Sequence, residues 1–342
     1  MQQKVASLWR MGQDGSRKPE TRGILKDMAP RPLLLKLIGL LAALWLAVPA
    51  AAAPAAAPPP ASPAARAEPR PAIWLLADAD TRIYLFGTVH VLHPGLRWRS
   101  ATLNRVVREA RELVLELDDD EMAASGPAML GTMQLGKTVP VLQRVTPERR
   151  AALARLLAEL QMPEGSLDGL ESWAVALVLG VGQMAREYSG PDETDLAGAA
   201  AALPGVEEVL TAEFRADGRP ITGVETAADQ IGAFRGMPLS VQQAMLDETI
   251  DAYANGDEAG DPDETDWLNG NLDGIAAEMD SLPPELFEAL VTRRNRRFAD
   301  WLAARLDRPG TVLFAIGAGH FAGRVSVQSM LERRGLRVTR LN

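Results

Sequence analysis

Arg82-Ile83-Tyr84-Leu85-Phe86-Gly87-Thr88-Val89-His90 and Thr311-Val312-Leu313-Phe314-Ala315-Ile316-Gly317-Ala318-Gly319-His320 share one plan, a strand-length apolar run that ends in Gly-x-x-His. Runs of this length rich in β-branched and aromatic residues predict strands. The glycine frees the backbone to turn off the strand end, which brings the imidazole over the edge of a sheet. A single Gly-x-x-His carries almost no information. Two of them, each behind a strand and together using two of only three histidines in 342 residues, mark where chemistry that needs imidazole has to be. The third histidine, His93, precedes Pro94 in a loop and is left outside the site.

Outward from these runs, Ile73–Leu76 pairs with Arg82–Phe86 across the polar turn Ala77–Asp80, a hairpin. Ser100 caps a helix that runs to about Arg111, and Leu113–Leu117 is a strand holding one carboxylate, Glu116. From Thr146-Pro147, a helix start, the pattern stays helical to about Tyr188. Pro220–Val224 is a short strand with Glu225 at its end, and Thr226 opens the next helix. Another helix follows Pro238, a longer one spans Pro284–Leu306, and a last helix and the strand Leu336–Thr339 close the chain.

Strands alternating with helices predict a mixed α/β fold, a largely parallel central sheet flanked by helices with a helical insertion in the middle. In such sheets the functional crevice lies beyond the carboxyl ends of the strands. If their strands run parallel, His90, Glu116, Glu225 and His320 therefore converge on one rim.

Each residue also has a plain structural reading. Val114 and Glu116 share one strand face and Leu113, Leu115 and Leu117 the other, so Glu116 is either solvated or buried with a positive partner or a metal. Glu225 is either part of the site or a carboxylate favoured by a helix start. Leu290, Arg294, Phe298 and Leu302 lie four apart along one helix face. Arg294 there either snorkels from the core edge or binds a carboxylate or a substrate carbonyl.

Several motifs are absent. Gly317-Ala318-Gly319 lacks a correctly spaced third glycine for a dinucleotide fingerprint, and neither His-Glu-x-x-His nor Gly-x-Ser-x-Gly occurs. Asp261, Asp263 and Asp266 lack the glycine and closing glutamate of a calcium loop, and Pro-Asp-Glu-Thr-Asp at 191–195 and 262–266 reads as two solvated acidic loops. A net charge of -9 argues against a nucleic-acid surface, and the absence of cysteine excludes disulfides, thiolate metal sites and cysteine nucleophiles.

Arg31 and Lys36 precede the apolar run Leu37–Val48 and then Ala50–Ala53, the pattern of a cleaved signal peptide, with an uncleaved N-terminal membrane anchor as the alternative. Translation from Met28 would give that signal an ordinary length. The chain divides into an N-terminal extension and signal (1–53), an Ala/Pro-rich linker (54–71) and a folded domain (72–342), expected in the periplasm or secreted. After signal removal no stable membrane span is expected.

Tyr84–His90, Leu113–Leu117, Gly223-Val224-Glu225-Thr226 with Gln230, Arg294-Asn295, and Ala315–Phe321 occur here in an order that resembles the TraB/GumN family, which is related to the Tiki proteases and more distantly to erythromycin-esterase-like and ChaN-like proteins. The resemblance runs from about Ile73 to Arg340. It departs at Gly205-Val206-Glu207, where the family commonly has Gly-hydrophobic-Asp, and Glu207 is given no role. The resemblance implies a metal-dependent hydrolase, most simply a peptidase acting on a peptide or another small polymer. His90, His320 and Glu116 would hold a divalent Mn, Co, Zn or Fe ion. Glu116 and Glu225 would divide the roles of ligand and general base, and Arg294, with Asn295 beside it, would stabilise the oxyanion. The helical stretch from Glu121 to Gly190 would set substrate range. Competing expectations are a non-catalytic periplasmic binding protein that sequesters a peptide or polysaccharide-related ligand, and a scaffold in which the Gly-x-x-His elements are only structural.

Overall fold

The computed structural model describes residues 68–92, 95–118, 120–121, 124–125, 131–189, 205–256 and 264–342. The signal run, Met28, the linker up to residue 67, His93 and the acidic loop at 191–195 lie outside the described residues. The chain opens with the hairpin β1 (Ile73–Ala77) and β2 (Thr81–Thr88), whose turn is closed by Asp78 Oδ1 accepting from the Thr81 amide at 2.8 Å. Helix α1 (Ala101–Glu109) follows, with Ser100 Oγ accepting from the Leu103 amide at 3.0 Å, and leads into β3 (Glu112–Leu115). The middle holds α2 (Val141–Arg144), α3 (Pro147–Glu159), α4 (Ser172–Ser189) and α5 (Val206–Ala216), then the short β4 (Ile221–Gly223). Helices α6 (Ala227–Arg235), α7 (Leu239–Asn255), α8 (Glu264–Leu268) and α9 (Asp273–Asp280) complete the insertion. The C-terminal part is α10 (Pro284–Phe287), a π-helical segment Glu288–Thr292, α11 (Arg293–Arg305), β5 (Gly310–Gly317), a 3₁₀ turn Ala318–Phe321, α12 (Val327–Glu332) and β6 (Val338–Arg340).

The six strands form one sheet in the order β4-β3-β5-β2-β1-β6. The pairs β4/β3, β3/β5 and β5/β2 are parallel, and β1 is antiparallel to both of its neighbours. This is the mixed α/β fold expected from the alternation of elements. Parallel strands need both faces covered, and the side chains divide accordingly. Tyr84, Phe86, Leu113, Leu115, Leu313 and Ala315 face the large core built with α1 and the helical insertion. On the other side Ile83, Leu85, Val114, Val312, Phe314 and Ile316 pack with Phe298, Ala299 and Leu302 of α11 and Val327 and Leu331 of α12.

This division settles which way Glu116 faces. It follows Val114 by two residues, so it points to the side covered by α11 and is buried rather than solvated. β3 ends at Leu115 rather than at Leu117. Just past that end the backbone still bonds to the chain leaving β4, the Glu116 carbonyl accepting from the Val224 and Glu225 amides at 3.1 and 2.7 Å.

Two further elements depart from the sequence expectation. Helix α5 has no counterpart in it, although Val206, Leu210 and Phe214, four apart and fully buried, are the signal for one. The helix expected over Pro284–Leu306 is interrupted by the π segment, in which Ala289, Leu290, Val291 and Thr292 are all buried. Wide turns of this kind tend to occur at functional sites.

Within the insertion, Arg149 of α3 grips α7 through paired bonds to Asp251 at 2.7 and 2.6 Å, and Trp173 of α4 stacks on Phe234 of α6 at 5.5 Å. No helix of the described residues is long and apolar enough to cross a membrane. Helix α6 begins with a reciprocal cap: Thr226 Oγ1 accepts from the Asp229 amide at 3.1 Å and Asp229 Oδ2 from the Thr226 amide at 3.0 Å. Because this cap fixes the residue after Glu225, Thr226→Ala is expected to lower stability by about 1 kcal/mol in urea unfolding, with Thr226→Ser close to wild type.

Candidate functional site

The parallel strands β2, β5, β3 and β4 end nearly level, with Thr88 opposite Gly317 and Leu115 opposite Gly223. His90 lies two residues past β2, Glu116 one past β3, Glu225 two past β4, and His320 in the 3₁₀ turn after β5. All four are buried. Gly87 acts differently from the sequence reading, since it is not among the glycines in a left-handed conformation. A Cβ on Gly87 would lie 3.0 Å from Ala318 Cα, so its value is close packing of the first Gly-x-x-His element against the second. Gly87 also offers its carbonyl to Trp267 Nε1 at 2.8 Å.

Arg294 sits at the centre, only 2% exposed, which excludes snorkelling. Its Nε donates to both oxygens of Glu225 at 3.0 Å, and Nη2 donates to Glu225 Oε2 at 2.6 Å and also to Glu116 Oε2. The remaining nitrogen, Nη1, faces the Leu290 carbonyl at 3.4 Å. Glu225 is held further by Arg297, whose Nη2 donates to Oε1 at 2.5 Å while its Nη1 reaches Asp229 at 2.9 Å. Burial works against ionisation of Glu116, yet Arg294, with His320 behind it, outweighs burial and holds the carboxyl well below its ordinary range. Burial likewise opposes the charge on Arg294, and the two carboxylates reverse that and raise its pKa.

Asn295, fully buried, is tied to His320. Its Nδ2 donates to the carbonyls of Val325 at 2.8 Å and His320 at 3.3 Å, which orients the amide so that Oδ1 meets His320 Nδ1 at 2.6 Å. An amide oxygen only accepts, so the network assigns the proton to Nδ1. Burial first, and Arg294 second, lower the His320 pKa below the ordinary 6.5. The ring is therefore neutral at neutral pH and Nε2 carries a bare lone pair. That lone pair faces Glu116 Oε1 at 3.3 Å, an oxygen that also accepts from the Gly317 amide at 2.9 Å. Phe298 closes over the ring edge-on, its centroid 5.0 Å away.

At the other end of the rim stands a residue the sequence reading left without a role. Glu207, in the first turn of α5, brings Oε1 to 3.1 Å from His90 Nδ1 and accepts from Thr88 Oγ1 at 2.5 Å. The His90 contact is within ion-pair range but off the line of a ring N–H, so both ring nitrogens and Glu207 Oε2 are buried without a hydrogen bond. Its spacing from Gly205 was the available signal; its contact with His90 is tertiary. Among the described residues no group of three or more His, Asp or Glu side chains is closed around one point as a metal site. The rim offers its donors as two pairs, His320 with Glu116 and His90 with Glu207.

The model of the TraB/PrgY/gumN family matches residues 72–340. The chain belongs to this family. A metalloprotease TIKI homolog from Amphimedon queenslandica is 42% identical over 69 residues, which cover 20% of this chain and only 14% of that protein. No solved structure matches it. In this TraB/PrgY/gumN chain the expected site residues thus occupy distinct positions. Glu116, Glu225 and Arg294 form one ion cluster, His320 and Asn295 adjoin it, and His90 stands with Glu207.

Two outcomes follow. Removing the guanidinium leaves buried Glu116 without an arginine and Glu225 with Arg297 alone, so Arg294→Met should cost about 3–5 kcal/mol in urea unfolding, a loss Arg294→Lys would relieve only in part. The pH dependence has a definite sign. An unfolded chain takes up a proton on residue 320 near pH 6.5 that the folded chain refuses, so stability falls as pH drops below about 6.5. Glu116, with its pKa depressed, adds its own loss only as pH falls below the ordinary carboxylate value of 4.5. Urea midpoints should therefore decline between about pH 7.5 and 5.5, and His320→Gln should flatten that decline.

Proposed function

We propose that this chain is an exported metallohydrolase that cleaves peptide bonds, with its reacting centre at the rim that carries His90, Glu116 and His320. The observation that carries the reading is the facing pair of His320 Nε2 and Glu116 Oε1 at 3.3 Å. A lone-pair nitrogen and an anionic oxygen so close repel each other unless a proton or a cation lies between them. The lowered imidazole pKa disfavours the proton, and imidazole nitrogen with carboxylate oxygen is a donor set that Mn, Co, Zn or Fe accepts. The unpartnered ring nitrogens of His90 are buried polar atoms of the same kind. His90, His320 and Glu116 would hold the ion, which supplies the Lewis acidity that lowers the pKa of a water molecule. The peptide bond as substrate is inferred from the relative named as a metalloprotease and from the family.

The chain's own residues divide the remaining work. Glu116 has too low a proton affinity for an effective base and serves as a permanent anion. Asn295 keeps the proton of His320 on Nδ1 and thereby keeps Nε2 available. Glu225, with both oxygens engaged by Arg294 and Arg297, anchors Arg294. Arg294, with Nε and Nη2 committed to the two carboxylates, acts through Glu116.

Protein purified without chelators should contain a stoichiometric transition metal by elemental analysis and should cleave a peptide library. His90→Ala and His320→Ala should lose both. Cleavage at the wild-type rate by both variants, or no metal uptake on loading, would overturn the reading. Retention of a peptide without product would point instead to a sequestering protein.

A further inference from the structure

The two histidines of the rim are held in parallel ways. His320 Nδ1 meets an oxygen of Asn295, and His90 Nδ1 lies 3.1 Å from an oxygen of Glu207. Three contacts bring Glu207 to its place, and all of them end on residues 88–90. The Thr88 hydroxyl donates to Glu207 Oε1 at 2.5 Å, the Val206 amide donates to the Val89 carbonyl at 3.0 Å, and Gly205 lies against the His90 carbonyl. A Cβ at Gly205 would fall 2.4 Å from that carbonyl oxygen, so only glycine admits the approach. Helix α5 therefore starts against His90, and its first turn delivers the carboxylate.

We infer that Glu207 is the positioning residue of His90: its carboxylate keeps the proton on Nδ1 and leaves Nε2 as a lone pair at the rim. Both Gly-x-x-His elements then present the same atom, each through its own oxygen partner. A carboxylate oxygen only accepts, so a neutral ring facing it puts its single N–H on that side. Both ring nitrogens of His90 are buried without a hydrogen bond, but Nδ1 has the Glu207 oxygen at 3.1 Å, so Nε2 is the one kept for a ligand. The inference rests on the reading that His90 and His320 act together, but its test does not depend on turnover.

With only three histidines in the chain, ring nitrogen signals can be assigned one by one, His93→Asn removing the third set. Long-range proton–nitrogen spectra of ¹⁵N-histidine-labelled full chain would be recorded without metal, well above the ordinary imidazole pKa. They should show His90 with its proton on Nδ1. Glu207→Leu, which removes the acceptor, should move His90 toward the Nε2–H form while the His320 signals stay as in wild type. Glu207→Gln, which keeps an acceptor oxygen, should hold the Nδ1–H form. Calorimetric titration with Mn²⁺ should show affinity about 10–100-fold weaker for Glu207→Leu and a smaller loss for Glu207→Gln. A wild-type His90 carrying its proton on Nε2, or a His90 spectrum unchanged by Glu207→Leu, would overturn the inference. Absence of Mn²⁺ binding by wild type together with the expected spectra would remove the metallohydrolase reading and leave Glu207 in its role.

Discussion

Arg294 neutralises two buried carboxylates that arrive from different strands, and the rest of the rim is arranged around that fact. Glu116 and Glu225 leave the ends of β3 and β4 side by side, their backbones already joined through the Glu116 carbonyl. Two such anions in a dry crevice would repel strongly and would take up protons. A guanidinium suits the place because its flat fork grips Glu225 through Nε and Nη2 while Nη2 also reaches Glu116. The cation also reaches beyond its own contacts. It holds Glu116 ionised and adds to burial in keeping the His320 ring neutral.

Delivery of that cation depends on the C-terminal helix. The π segment Glu288–Thr292 widens the turn just before α11, and the next two inward residues are Arg294 and Asn295, one serving the carboxylates and the other serving His320. Farther along, Phe298 and Leu302 on the same helix pack on Phe314 and its neighbours on the sheet. A single element thus couples the apolar cover of one sheet face to the electrostatics at its edge. Burial of Phe298 and Leu302 stabilises the position from which Arg294 works, so the fold's core and its polar rim are not separable energetically.

The two Gly-x-x-His elements meet through packing as much as through chemistry. Gly87 admits Ala318, and Gly205 admits the His90 carbonyl, so the absence of side chains at these points lets three separate stretches of chain crowd onto one rim. Each histidine then receives an oxygen partner for Nδ1 from a helix that is remote in sequence. The ring nitrogens of His90, buried without a hydrogen bond, carry a desolvation cost that the packing around them has to offset.

Much of this was legible in the residues. Strand-length apolar runs, caps at Ser100 and Thr226, and the alternation of strand and helix specified the sheet and its parallel character, because local periodicity and capping chemistry act within a few residues. Placing His90, Glu116, Glu225 and His320 at strand ends then required only that those strands be parallel. The spacing of Leu290, Arg294, Phe298 and Leu302 likewise marked a guanidinium on an apolar face. What it binds, and which way Glu116 faces, depended on α11 covering one side of the sheet, a contact between segments far apart along the chain. Glu207 shows the same limit from the other side. Its three-residue element was visible in the sequence, but its contact with His90 exists only because α5 docks against the end of β2. Sequence determined which residues could carry charge and where the chain turns; tertiary packing alone decided which charges meet, since pairing energies depend on distances that no local pattern encodes.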